Sequence, residues 1–138
     1  MADDFSQCMV SNTRMAARAV TRRYDAYLRP FGITATQFSL LGGLGQMPDA
    51  TVSEIADARG FDRTTLTRNL DRLEAMGLIN SRSSERGNGR MSDVTTRGHA
   101  LIETVLPLWR QAQAEMKAEL SSRTFDDSIK MLQRLAKA

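Results

Sequence analysis

Cysteine and histidine each occur once in the 138 residues, at Cys8 and His99, and that scarcity removes whole classes of chemistry. A single thiol allows no disulfide within the chain, and one thiol with one imidazole cannot furnish a Cys/His zinc site. No stretch approaches the roughly 18 uninterrupted apolar residues of a membrane span, and the acidic opening MADDFSQ lacks the basic region and apolar run of a secretory signal. The expected location is the cytoplasm, with no membrane partner. Catalytic signatures are missing too: there is no G-x-S-x-G, no P-loop, no dinucleotide fingerprint, and no histidine near Cys8 to activate it. Asp126 with Asp127 reads as a pair of helix N-terminal charges, which the helix dipole favours. Neither an enzyme nor a cofactor is expected.

What is present suits one modest, soluble domain, 41% apolar and 25% charged. The formal net charge is only +3, but between Arg59 and Arg90 seven arginines face four carboxylates, an excess as large as that of the whole chain. A second basic run, Arg14, Arg18, Arg22, Arg23 and Arg29 against Asp25, falls on the first helix and reads as a solvated face.

The stretch FDRTTLTRNLDRLEAMGL, Phe61 to Leu78, has the marks of an amphipathic helix. Asp62 suits an N-cap, Leu66, Leu70 and Leu73 recur at helical spacing, and Gly77 sits where a helix would stop. At about 100° per residue, Thr64, Thr65, Arg68 and Arg72 fall opposite the leucines, with Arg63 and Thr67 on the shoulders. Hydroxyls and guanidiniums suit base edges and phosphates. Before it, Val52 to Arg59 forms a short helix that Thr51 and Glu54 open as a capping box, and Gly60 turns the chain into the next helix. Two helices about a glycine turn make a helix-turn-helix pattern, and Ser53 on the first is counted with the DNA-binding residues.

After it, Leu78 to Ser83 and Met91 to Thr95 are short strands around SERGNGR, a polar, glycine-rich segment that cannot be core. Such a ribbon is a wing. Its arginines, Arg86 and Arg90 with Arg82 at the base, and Asn88 between them, suit a minor groove or the phosphate backbone.

On these residues the chain resembles the MarR family of winged-helix transcriptional regulators. The resemblance runs over nearly the whole chain and rests on FGITATQFSLL (Phe31 to Leu41), VSEIADARGFDRTTLTRNLDRLEAMGLI (Val52 to Ile79) and VTTRG (Val94 to Gly98). It implies that the helix matching Arg63 to Met76 enters the major groove and that the following ribbon touches the minor groove. The family's wing usually carries an Asp-x-Arg pair, where this chain has Glu85, Arg86, Asn88 and Arg90 in a slightly shorter loop.

The expected fold is mainly α with a small β-ribbon. Residues 1–138 form a single MarR-like domain, with a winged helix-turn-helix part at about 34–96 and dimerisation helices at about 5–29 and 97–138. The first helix, from about Ser6 to Leu28, carries Met9, Met15, Ala16, Ala19, Val20 and Tyr27, and Pro30 with Gly32 ends it. Thr34 and Gln37 form a second capping box, opening a helix through Phe38, Leu40, Leu41 and Leu44. Gly42, Gly43 and Gly45 then predict either fraying or a closely crossing backbone. Thr95 or Thr96 caps a long helix from about Arg97 to Leu120, expected to bend near Glu103 to Pro107. Thr124 is expected to cap a last helix with Phe125, Ile129, Leu132 and Leu135 along one edge.

The expected function is a DNA-binding regulator, a repressor, acting as a homodimer on a pseudo-palindromic double-stranded operator. The resemblance implies a small aromatic or phenolic acid effector where the dimer helices meet the winged part. On this chain that junction draws on Asn12, Met15 and Arg18, on Phe38, Leu41 and the glycine run, and on Trp109, with Arg18 positioned to pair a carboxylate. Two alternatives stand beside it: a thiol switch at Cys8, and a winged-helix adaptor that binds protein and not DNA.

Overall fold

The computed structural model describes residues 2–84 and 89–137. Six helices and one two-stranded ribbon follow in the order α1 (Met9–Leu28), α2 (Ala35–Gln46), α3 (Val52–Arg59), α4 (Arg63–Ala75), β1 (Ile79–Ser83), β2 (Arg90–Val94), α5 (Thr96–Leu120) and α6 (Ser122–Ala136). The architecture is mainly α with a small antiparallel ribbon, in which Ile79 pairs with Val94 and Ser83 with Arg90.

Most boundaries are set by side chains a few residues away. Thr34 and Thr51 each accept the N–H three residues on, while Gln37 and Glu54 reach back to the N–H of the capping threonine, so both capping boxes close in full. Asp62 caps α4 and Thr95 caps α5. Between α3 and α4 the backbone turns at Gly60 with φ near 73°, a left-handed conformation in which a Cβ would be strained. These local bonds satisfy amides that a helix start leaves without partners.

The winged part closes around Leu40, Leu41 and Leu44 of α2, Ile55 of α3, Leu66, Leu70 and Leu73 of α4, Ile79 of β1 and Val105 of α5, all at most 5% exposed. Truncating any one of them to alanine would cost roughly 2–5 kcal/mol, the usual range for a buried large aliphatic side chain. At the root of the wing the packing is tight: a Cβ on Gly98 would lie 2.2 Å from the Leu78 carbonyl oxygen, so only glycine fits at that first turn of α5.

Outside this core the helices are thinly covered. On α1, Met9, Val10 and Met15 are 58–68% exposed, and on α6, Ile129, Met131, Leu132 and Leu135 are 40–49% exposed. Phe125 alone of the α6 edge is buried, with the Lys117 ammonium 5.2 Å from its ring centre. Farther along, α1 is sewn to α5 by Tyr24 donating to Gln113, Tyr27 donating to Glu115, and an Arg23 to Glu119 ion pair.

Two expectations need correction. The glycine run neither frays α2 nor admits a backbone: the helix continues to Gln46, Gly42 and Gly45 face open space, and Gly43 faces only side chains of α3. Thr124 does not cap α6. Ser121 does, at φ 71°, with its hydroxyl accepting the Thr124 N–H at 3.3 Å, so the helix starts three residues earlier. The last helix follows α5 directly, and α5 runs as one helix with Pro107 inside it.

Candidate nucleic-acid interface and ligand cleft

The outer face of α4 follows from which of its sides the core consumes. Leu66, Asn69, Leu70 and Leu73 are buried, which turns Arg63, Thr64, Thr67, Arg68 and Arg72 outward, all exposed. Thr65 is committed instead to the cap: its N–H and hydroxyl donate to the two Asp62 carboxylate oxygens at 2.8 and 2.9 Å. Those two bonds hold the Asp62 carboxyl below its ordinary titration range. Ser53 is exposed in the first turn of α3.

The wing arginines differ from one another more than their sequence suggests. Arg82 reaches across the ribbon to Asp93 at 2.8 Å. Arg90 turns back toward α4. Its guanidinium donates to Ser81 Oγ at 2.9 and 3.1 Å and lies 3.4 Å from Asp71 and 3.5 Å from Glu74, both on α4. A long, charged side chain at the foot of the wing thus fixes the ribbon against the helix. Arg86 and Asn88, with Glu85, lie outside the described residues. Gly89, at the returning edge, sits against the α3 cap, where an added Cβ would meet Thr51 Cγ2 at 2.9 Å.

A cleft of about 580 Å³ opens where α1, α2 and α5 diverge. Phe38, Ile102, Leu106 and Trp109 give it apolar and aromatic walls, and Val20, Thr21 and Tyr24 contribute from α1. Burial among these walls pushes the Tyr24 hydroxyl up from its ordinary range. Of the residues expected there, Phe38, Trp109 and Gly42 belong to the lining. Leu41 is fully buried in the core behind it. Asn12, Met15 and Arg18 lie outside the lining, on turns of α1 nearer the N-terminus, and the Asn12 amide is spent on the carbonyls of Ser6 and Cys8.

The charged group of the cleft is instead Arg59, the last residue of α3, which donates to Gln46 Oε1 at 2.6 Å. Sequence reading did not place it here because it counted Arg59 with the basic residues of the DNA-binding segment. The signal was there all the same: Arg59 lies four residues after the core residue Ile55, and therefore on the same helix face.

Cys8 is half-buried at the start of α1. Hydrogen bonds from the Ser11 backbone and side chain, with a further one from the Val10 backbone, lower its pKa. Among the described residues no cluster of histidine, cysteine and carboxylates could hold a metal, and no helix is long and apolar enough to cross a membrane.

Against known proteins, the model of the MarR family matches residues 31–90, from the start of α2's approach to the far edge of the wing. The crystal structure of the M. tuberculosis transcriptional regulator MosR is 35% identical, covering 98% of this chain and 100% of that one at a TM-score of 0.83. The same regulator in complex with DNA is 36% identical over 94% of this chain and 96% of that one, with a TM-score of 0.80. Bordetella bronchiseptica BpsR, a protein whose DNA binding is regulated by 6-hydroxynicotinic acid, shares the fold at a TM-score of 0.85 and 21% identity over the full length of both chains. Recognition helix, wing and end-to-end similarity agree, and the chain belongs to the MarR family of winged-helix, DNA-binding transcriptional regulators.

Proposed function

We propose that this regulator acts in the cytoplasm as a homodimeric repressor on a pseudo-palindromic operator, and that a small aromatic acid in the cleft releases it. The observation that carries the DNA part is the outward face of α4, where Arg63, Thr64, Thr67, Arg68 and Arg72 are exposed together. Guanidiniums and short hydroxyls on one helix suit base edges and phosphates in a major groove. An adaptor surface would present apolar side chains there. Arg82, exposed on β1, adds to this basic surface, Arg86 and Asn88 are expected from the sequence to join it, and Arg90 holds the wing against the helix. The similarity to a relative solved with DNA supports this reading.

Two-fold pairing is supported by the exposed apolar edges of α1 and α6, which the winged core leaves uncovered. A symmetric dimer places two recognition helices one helical turn apart, about 34 Å, which requires an operator with two half-sites. Release by a ligand is supported by the aromatic cleft beside α2. A relative of the same fold responds to a hydroxylated aromatic acid.

A second reading makes Cys8 the switch, because the helix-start amides that lower its pKa raise its thiolate fraction. The test separates the two. Gel shifts on the chain's own upstream DNA across a salt series should show steep loss of binding with salt. Adding a panel of aromatic acids, and separately peroxide on wild type and Cys8→Ser, then identifies the switch. Peroxide release that vanishes in Cys8→Ser, with no response to any acid, overturns the ligand reading.

A further inference from the structure

The cleft holds one charged side chain among its lining residues, and it comes from the helix-turn-helix, not from the helices that form the walls. We infer that Arg59 is the anion anchor of this cleft and that it couples an aromatic anion directly to the recognition helix. This rests on the reading of the cleft as an effector site.

Three observations converge on it. The first is access. Gly43 on α2 has no side chain, and a Cβ built there would lie 3.6 Å from Arg59 Nε and 3.7 Å from its Cγ, with Ile55 at 3.5 Å. The arginine stem thus runs past α2 at Gly43, at ordinary van der Waals distance, on its way to the cleft. The second is availability. Arg59 has a neutral partner, the Gln46 amide oxygen, and among the described residues no carboxylate pairs with it. A guanidinium held by a neutral acceptor can exchange it for a carboxylate, and the charge-assisted, two-pronged pairing is the stronger of the two. Among the described residues no aspartate or glutamate lines the cleft to compete.

The third is position. Arg59 ends α3, Gly60 makes the left-handed turn, and Asp62 caps α4. Only three residues separate the anchor from Arg63, the first residue of the recognition helix. An anion that draws the guanidinium off Gln46 and into the cleft pulls on the turn that sets where α4 begins. The ligand class follows from the walls: a flat aromatic or apolar body against Phe38 and Trp109, bearing one carboxylate toward Arg59.

Benzoate and neutral benzamide are the probes, and Trp109, the only tryptophan, reports binding by its fluorescence. Wild type is expected to bind benzoate more tightly than benzamide. Arg59→Met should weaken benzoate about tenfold or more, the scale of a lost charge-assisted pair, and leave benzamide unchanged, while Arg59→Lys recovers part of the preference. Hydrogen exchange at the amides of residues 60–66 should change on adding benzoate to wild type and not to Arg59→Met. If Arg59→Met binds benzoate as wild type does, the anchor is wrong although the cleft still takes ligands. If Arg59→Met loses benzoate but wild-type amides 60–66 do not respond, the coupling is wrong. If neither probe perturbs Trp109 in wild type by any measurable amount, the effector reading fails and the anchor with it.

Discussion

Arg90 of the wing and Asp71 of the recognition helix lie 3.4 Å apart, guanidinium to carboxylate, with Ser81 Oγ completing the hold on the arginine. The pair is only partly shielded, the arginine side chain being 32% exposed and the aspartate 65%, so its contribution to stability is small, about 0.2–1 kcal/mol. Its larger effect is positional. A double-mutant cycle with Arg90→Gln and Asp71→Asn should give a coupling energy in that range from denaturant unfolding. DNA affinity of Arg90→Gln should fall with little change in salt slope, since a residue that aims the wing need not neutralise a phosphate itself. A salt slope that drops by about one unit would show that Arg90 contacts phosphate directly.

Arg68 is predicted to read or clamp DNA from the middle of the exposed α4 face. Arg68→Ala should weaken specific binding by about 1–3 kcal/mol without altering unfolding, because the side chain is exposed. Arg86→Ala should act more on overall affinity and salt slope than on sequence preference. Unchanged operator affinity when Arg68, Arg82 and Arg86 are all replaced would exclude the docking described here.

The open edge of α6 is predicted to be an inter-subunit surface. Replacing Ile129 and Leu132, 40% and 49% exposed, by glutamate should leave the winged core folded and shift sedimentation from dimer to monomer at micromolar concentration. Wild type that sediments as a folded monomer under the same conditions would remove the two-fold model and the palindromic operator with it.

Acid is predicted to loosen the start of the recognition helix. The Asp62 carboxyl titrates below its ordinary range in the folded chain because Thr65 bonds its charged form. The unfolded chain therefore takes up the proton first. The cap's contribution is fully present above the ordinary carboxylate range and is lost as pH falls through the lowered native value. Stability measured from about pH 6 down to about pH 2 should fall more steeply in wild type than in Asp62→Asn, which accepts the same amide bond without titrating. Parallel curves would assign the acid sensitivity to other carboxylates.

Much of this was legible in the chain because its signals are local. The capping boxes Thr34 with Gln37 and Thr51 with Glu54 span four residues each, and the leucine stripe of α4 repeats within three turns, so helix positions followed from spacing alone. The start of α6 was misread because Ser121 and Thr124 are both cap-type residues, and choosing between them requires knowing where α5 stops. Arg18 was expected in the cleft because the family resemblance implies an effector junction at the first helix, but which turn of α1 meets α2 is decided by crossing geometry. Arg59 was overlooked for the same reason: its partner Gln46 is 13 residues away, across a loop. Arg90 carries the same charge as Arg82, and only the folded ribbon shows that one faces Asp93 and the other α4.

At the root of the wing, the Leu78 carbonyl accepts the Thr95 N–H at 3.0 Å, the Thr95 hydroxyl donates to the Gly77 carbonyl at 2.7 Å and accepts from Gly98 at 3.0 Å, and Gly98 leaves no room for a Cβ. These contacts tie the end of α4, both strand roots and the first turn of α5 together. With 25 residues at about 1.5 Å each, α5 is a lever arm of roughly 37 Å mounted on that junction. A tilt of α5 is therefore expected to carry the root of the wing and the end of α4 with it.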